Sequence, residues 1–195
     1  IPRLDCYVSI DIDRDVIENA KRKDPEGIYR HLDIFGPDTI SHLNEFRFET
    51  LICLNVLEHI QDDRLALRNM KDLLQPGGNL LLLVPAFPAL YSRLDSLAGH
   101  VRRYTVKSLT SQIPEQNIEI FKMEYFKFLG GLGWWANKMF AHRDLDNGLV
   151  NMRIRFFDRY LVRISKWLNL LSRSWFGQSL TAVVRKNAVA DHSSF

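Results

Sequence analysis

Phe48-Glu-Thr-Leu-Ile-Cys-Leu-Asn55-Val-Leu-Glu58-His59-Ile60, followed by Leu73-Leu-Gln-Pro76-Gly77-Gly78, is the most informative stretch of the sequence. Its first half is an apolar run that ends in polar residues, which is typical of a buried parallel strand. The Pro-Gly-Gly turn then ends a helical segment and precedes a second apolar run, residues 79–84. This succession of strand, helix and strand predicts a parallel sheet.

The same alternation extends over most of the chain. It predicts strands at 6–10, 28–32, 50–54, 79–84, 118–126 and 179–184, and helices from residue 13 or 14 to 23, at 62–74 and at 105–112. These elements predict an α/β fold with a mostly parallel sheet and helices on both faces. We expect one domain over 1–186, an aromatic and basic insertion at about 127–176, and a tail at 187–195.

The composition is that of an ordinary globular protein, with 46% hydrophobic and 25% charged residues among 195. It argues against long disorder and disulfide scaffolds, and the net charge of +3 is too small to suggest a nucleic-acid partner. The positive charge is concentrated between Met152 and Trp175, where six basic residues stand beside one acid.

Cys6 and Cys53 both lie in apolar runs, so we expect buried free thiols, no metal site and a cytoplasmic location. No apolar run has the length of a membrane span, and no signal peptide precedes the first strand. Because the chain does not begin with Met, we expect its first residue not to be a native start.

Acidic and polar residues follow three of the predicted strands. Asp11-Ile12-Asp13, Asp33 and Asn55 stand at carboxyl ends, where parallel α/β sheets bind their ligands. A carboxylate at such an end can accept hydrogen bonds from both hydroxyls of a ribose, and Asp11 is the candidate. The alternative is that Asp11 or Asp13 caps the helix that begins near Arg14, which we favour for Asp13.

In these blocks the chain resembles class I S-adenosylmethionine-dependent methyltransferases over roughly residues 6–186. The resemblance implies a Rossmann-like fold with an antiparallel last strand and S-adenosyl-L-methionine as cofactor. By residue, it implies that Asp11 and Ile12 contact the ribose, Asp33 and Ile34 the adenine, and Asn55 and Val56 the methionine moiety. His59 is a candidate base, and the alternative is a polar surface residue at a helix entry.

A narrower resemblance lies in Gly99-His100-Val-Arg102-Arg103-Tyr104, which is similar to a loop of one bacterial subgroup of that family. The resemblance implies a substrate loop formed by Tyr91, Arg102, Arg103 and Tyr104. His100 is the second candidate base, because an imidazole can accept a proton near neutral pH. The alternative is that both arginines pair with acids near Asp95 and hold the loop in place.

The chain departs from the family at the glycine-rich turn. No Gly-x-Gly-x-Gly precedes the first strand, and the five residues before it are fewer than the about 30 that a strand, turn and helix need. The first strand should therefore correspond to the family's second, with the first βα unit missing. Such a chain should bind the cofactor poorly or not at all.

The function predicted for the parent protein is methyl transfer to a small or lipid-linked acceptor, most simply at oxygen. Residues 153–173 could then contact an anionic lipid or membrane surface, or could simply cover the sheet edge. Two rivals remain. One is a non-catalytic interaction module or inactive fragment, and the other is a nicotinamide-dependent oxidoreductase, which the stretch from Asn55 to Gly78 argues against.

Overall fold

The computed structural model describes residues 6–34, 36, 39–126 and 177–188, which fall into two compact units, 1–47 and 48–195. The predicted insertion at 127–176, with its basic segment 153–173, lies outside the described residues. So do most of the predicted tail and the first five residues.

The first unit is a parallel β-α-β motif. Strand β1 (Val8–Asp11) is followed by helix α1 (Arg14–Lys23) and strand β2 (Ile28–His31), and the strands pair in parallel from Val8 with Ile28 to Asp11 with His31. A short helix, α2 (Thr39–Leu43), and a 3-10 turn at Asn44–Phe46 complete it.

In the described residues, the second unit contains a four-stranded sheet and three α-helices. In chain order it contains β3 (Phe48–Leu54), α3 (Asp63–Leu73), β4 (Leu74–Pro85), α4 (Arg93–Leu97), α5 (Val106–Gln112), β5 (Ile118–Phe126) and β6 (Ser179–Lys186). The strand order is β3-β4-β6-β5. Strands β3 and β4 are parallel, whereas β6 is antiparallel to both of its neighbours. The predicted α/β fold and the antiparallel last strand are therefore confirmed.

The core of this unit lies on one face of β4 and β6. Leu80, Leu82 and Val84 alternate along β4 as buried residues, and Leu180 and Val184 of β6 are also fully buried. Helix α3 contributes further buried apolar residues, namely Ala66, Leu67, Met70 and Leu73. Each fully buried aliphatic side chain contributes about 1.5 to 3 kcal/mol, so these two strands hold the unit together.

Strand β3 differs from the fully buried strand that its sequence suggests. It lies at the edge of the described sheet, and Ile52 and Leu54 are 64% and 53% exposed. Cys6 is exposed, so the expectation that both thiols are buried holds only for Cys53. Among the described residues, no helix is long and apolar enough to cross a membrane.

Candidate active site

Asp11 and Ile12 form the end of β1 in the first unit. The half-buried Asp11 accepts a hydrogen bond on Oδ1 from the backbone N–H of Asp13 at 2.8 Å. Ile12 is 70% exposed, and its carbonyl lies 2.9 Å from Nε2 of His31. Asp11 thus lies at the carboxyl end of β1, and ribose binding by its carboxylate stays a prediction.

Asp13 begins the helix that follows. Its carboxylate accepts hydrogen bonds from the backbone N–H groups of Asp15 at 2.8 Å and Val16 at 3.4 Å. This N-cap satisfies two amides of the first turn of α1, which otherwise have no partner inside the helix. The two neighbouring acids therefore differ in their contacts, and helix capping is the interpretation that Asp13 fits.

Asp33 and Ile34 lie two and three residues beyond the end of β2. The carbonyl of Asp33 accepts hydrogen bonds from the backbone N–H of Gly36 at 2.9 Å and from the Thr39 hydroxyl. The side chain of Asp33 is exposed, whereas Ile34 is buried. The backbone contacts hold this turn in place, so Asp33 occupies a defined position just past the end of the strand.

Asn55 ends β3 in the second unit. Its φ of +52° lies in the left-handed region, which asparagine tolerates better than most residues. Its backbone N–H donates to Leu83 O at 2.9 Å, and both Asn55 and Val56 are exposed. The chain therefore turns sharply out of the sheet at Asn55 and enters the 3-10 helix Leu57–His59.

Both candidate bases lie in one cluster. The rings of His59 and His100 are edge to face, with centroids 4.8 Å apart. Nδ1 of His59 is 3.2 Å from Gly99 O, and Nε2 of His100 is 3.9 Å from Oε1 of the buried Glu58. The φ of +80° at Gly99, between α4 and His100, is one that glycine adopts without strain. The structure thus brings together two residues that are 41 positions apart in the sequence.

Asp95 orients one member of this pair. The fully buried Asp95 accepts hydrogen bonds on Oδ1 from Nδ1 of His100 at 3.0 Å and from Nε of Arg103 at 2.8 Å. Burial alone would raise the pKa of Asp95, but the hydrogen bonds from Arg103 and His100 outweigh it and lower the pKa. Asp95 is therefore an ionised partner that orients the His100 ring through Nδ1, and Nε2 of this ring faces Glu58.

The charged residues of the predicted substrate loop make their contacts within the protein. Arg102 pairs with Asp63 at 2.6 Å and donates to Gln61 O at 2.7 Å. Arg103, which is 5% exposed, donates to Asp95 and to Ala86 O. The alternative in which both arginines hold the loop in place matches these contacts.

The two tyrosines of the loop are also engaged. The 1%-exposed Tyr104 donates its hydroxyl to Oδ2 of Asp63 at 2.9 Å, with Leu57 O 3.2 Å away, and the half-buried Tyr91 donates to His100 O at 2.7 Å. The expectation that Arg103 and Tyr104 face a substrate is corrected here, because both are buried and hydrogen-bonded. For Tyr91 and Arg102, contact with a substrate stays a prediction.

Two acids of this cluster, Asp95 and Glu58, had no predicted role. Asp95 lies three residues after Ser92, and the pair forms a capping box at the start of α4, a pattern visible in the sequence. Glu58 belongs to the quoted motif, but its burial depends on tertiary packing that no local pattern reveals.

Residues 3–80 match the family model described as a methyltransferase domain. No curated protein matches the chain by sequence. Among solved structures, the chain is similar to the N-methyltransferase NodS of Bradyrhizobium japonicum WM9 in complex with S-adenosyl-L-homocysteine. The TM-score is 0.52 at 15% identity, over 93% of this chain and 66% of NodS.

Two further structures have similar folds. An S-adenosylmethionine-dependent methyltransferase from Mesorhizobium loti gives a TM-score of 0.59 at 15% identity, over 93% of this chain and 80% of that protein. The [4+2]-cyclase SpnF gives 0.58 at 16% identity, over 94% of this chain and 66% of SpnF. The chain thus spans slightly under two thirds of the length of NodS and of SpnF. At these identities the similarity shows the fold alone, an α/β Rossmann-like fold.

Proposed function

We propose that this chain is part of an S-adenosyl-L-methionine-dependent methyltransferase. We further propose that its acceptor is a small or lipid-linked molecule that is methylated at oxygen. The observation that carries the proposal is the match of residues 3–80 to a methyltransferase domain. That segment includes each of the six residues assigned to the cofactor. The similarity to SpnF, a [4+2]-cyclase, is the reason why the fold alone does not support methyl transfer.

The chain's own residues fit the nucleoside part of the cofactor. Asp11 offers a carboxylate at the end of β1, and a carboxylate is suited to a ribose diol. Its Oδ1 already accepts a hydrogen bond from the backbone N–H of Asp13. Asp33 and Ile34, just beyond β2, are the residues we assign to adenine, and we assign Asn55 and Val56 to the methionine moiety. The fit is poorer at the methionine moiety, because the backbone N–H of Asn55 already donates to Leu83 O.

When bound, the sulfonium of the cofactor supplies an electrophilic methyl group for in-line displacement by the acceptor. The protein then has to position the acceptor atom and remove its proton. His100 is suited to the second task, since Asp95 holds its Nδ1 and its Nε2 has no hydrogen-bond partner among the described residues. His59 is the other candidate, with Nδ1 directed at Gly99 O.

Saturation-transfer NMR with S-adenosyl-L-homocysteine tests the proposal, because this method detects dissociation constants in the millimolar range. We expect weak but specific binding, and no signal from guanosine, whose base lacks the adenine amine. Asp11→Ala should weaken binding by about 5- to 150-fold, the equivalent of about 1 to 3 kcal/mol for the lost partner of two ribose hydroxyls.

Asp13→Ala is the matched control, since it removes a neighbouring carboxylate that serves the helix and not the ribose. It should lower helix stability by about 1 kcal/mol and leave the affinity unchanged. The proposal would be contradicted by equal affinities of the native protein and Asp11→Ala with intact circular dichroism.

A further inference from the structure

Glu58 is a buried carboxylate without a hydrogen-bond partner. It is 1% exposed, and its two oxygens are the only buried side-chain polar atoms in the described residues that lack a partner. The other buried acids near it, Asp63 and Asp95, both form ion pairs with arginine. A buried carboxylate without a hydrogen-bond partner costs several kcal/mol in its charged form, so a bound cation would stabilise that form.

Two histidines stand next to this carboxylate. One ligand atom each of Glu58, His59 and His100 lies within 4.8 Å of the others, and Oε1 of Glu58 is 3.9 Å from Nε2 of His100. All three residues belong to the second unit, where the 3-10 helix after β3 meets the turn after α4. The cluster is open on one side, since His59 is exposed and His100 is half-buried.

Among the described residues, the hydrogen bonds of the two histidine rings use Nδ1 of each, and Nε2 of His100 faces Glu58. Nδ1 of His100 is bound to Asp95, and Nδ1 of His59 is directed at Gly99 O. In metal sites, a ligating histidine almost always donates its second ring nitrogen to a carboxylate or a backbone carbonyl. His100 and His59 have these two kinds of partner, so both Nε2 atoms are prepared as ligands.

We propose that Glu58, His59 and His100 bind a divalent transition-metal ion, with Zn²⁺ as the best fit. Two imidazoles and one carboxylate are a catalytic type of zinc ligand set, and they leave a fourth position open to solvent. Tetrahedral bonds of about 2.0 Å place ligand atoms about 3.3 Å apart, so the side chains need to move closer by about 1 Å. The exposed His59 has room for this movement.

This inference differs from the sequence expectation of no metal site. His59 and His100 are too far apart in the chain to form a recognisable ligand spacing, and only the fold brings them together. The proposed metal site does not depend on methyl transfer, because its three ligands all lie within the second unit and none of them is assigned to the cofactor. It does compete with the base role of His100, since both roles use Nε2.

The experiment is a calorimetric titration of the untagged, metal-stripped protein with Zn²⁺ at neutral pH. We expect one ion per chain with a dissociation constant of about 10 µM or tighter. His59→Ala and Glu58→Gln should each weaken binding by more than about tenfold. Co²⁺ should give the visible absorption of a tetrahedral nitrogen and oxygen site, without the charge-transfer band of a thiolate.

Two controls separate this site from others on the surface. His42→Ala removes another exposed histidine, in α2, and Cys6→Ser removes the exposed thiol; both should bind Zn²⁺ like the native protein. Because Glu58→Gln alters a buried group and could unfold the protein, His59→Ala at the surface is the decisive variant.

The proposal is overturned if the native protein binds no Zn²⁺ more tightly than about 100 µM, or if His59→Ala binds it equally well. The cluster would then be an ion pair between protonated His100 and Glu58. Either result leaves the methyl-transfer proposal standing, because the NMR experiment with S-adenosyl-L-homocysteine needs no metal.

Discussion

The hydroxyl of Tyr104 is one of the groups that connect the loop after β4 to the start of α3. It donates to Asp63, at the start of α3, and lies close to the carbonyl of Leu57. Burial, together with the hydrogen bond to Asp63, raises the pKa of Tyr104, so the phenol stays protonated and keeps its donor role at every physiological pH. Tyr104 is therefore a structural residue of the candidate site.

Tyr104→Phe should lower the free energy of unfolding by about 1 to 3 kcal/mol, because it leaves buried acceptors with one donor fewer. Urea denaturation measures this loss. The matched control is Tyr91→Phe, whose hydroxyl is only half-buried and bonds to His100 O. The control should cost about 1 kcal/mol or less, and equal losses in the two variants would contradict the role given to Tyr104.

The residue types of the site were predictable, but several of their contacts were not. Asp13 caps α1 as its position before a helical segment predicts, and the imidazole of His100 was found from its motif. Arg103 and Tyr104 were assigned to a substrate because their chemistry suits one. Their burial follows from long-range contacts with Asp95 and Asp63, which local sequence does not encode.

At the scale of elements, the start of β4 depends on a close approach to β3. A Cβ on Gly78 would lie 2.9 Å from Gln75 O and 3.1 Å from both Glu49 O and Phe48 O. Three backbone carbonyls surround this position, and none of them can move like the end of a flexible side chain. The glycine predicted to belong to a turn thus also permits the close approach of two parallel strands next to the register shift between Phe48 and Thr50.

Gly78→Ala should therefore destabilise the second unit by about 1 to 3 kcal/mol, through steric strain at the start of the sheet. Thermal unfolding followed by circular dichroism measures this change. Gly77→Asn is the control, since a Cβ there meets nothing within 4 Å and asparagine tolerates the φ of +80°. If both variants melt at the native temperature, the close approach is not a constraint on the fold.

Three of the helices and most strands were predicted closely, but β4, predicted at 79–84, begins already at Leu74, and two short helices were missed. The strand 118–126 has its predicted bounds, and helices α1, α3 and α5 differ from prediction by about a residue at either end. Helices α2 and α4 have five residues each, which is too short for a helical period to appear in the sequence. Such helices are stabilised by caps and packing, here by the capping box of Ser92 and Asp95.

For the whole molecule, the least uniform property is the distribution of charge. The chain carries 26 basic and 23 acidic residues, but between Met152 and Trp175 the balance is six to one. This segment lies outside the described residues, so its role rests on sequence alone. Its apolar residues, Phe157, Tyr160, Leu161, Ile164, Leu168 and Leu171, keep a helical spacing with the basic residues off that face.

If this segment contacts an anionic lipid surface, replacing Arg159, Arg163 and Lys166 with Gln should weaken binding to phosphatidylserine vesicles. Each basic residue near such a surface contributes about 1 kcal/mol, so the triple variant should lose about 3 kcal/mol of binding free energy in a sedimentation assay. Binding by the native protein should also fall as added salt shortens the Debye length. The melting temperature should stay nearly constant, because these positions lie off the apolar stripe of the segment.

The control removes the same charge from a different place. Arg64 and Arg68 of α3 and Lys107 of α5 are exposed, so their replacement with Gln lowers the net charge equally without changing the basic segment. Because the proposed contact is local, this control should keep vesicle binding close to that of the native protein. Equal losses in the two variants would mean that net charge alone attracts the protein to lipid. An absence of binding by the native protein would leave residues 153–173 as a cover for the sheet edge and exclude a lipid role for them.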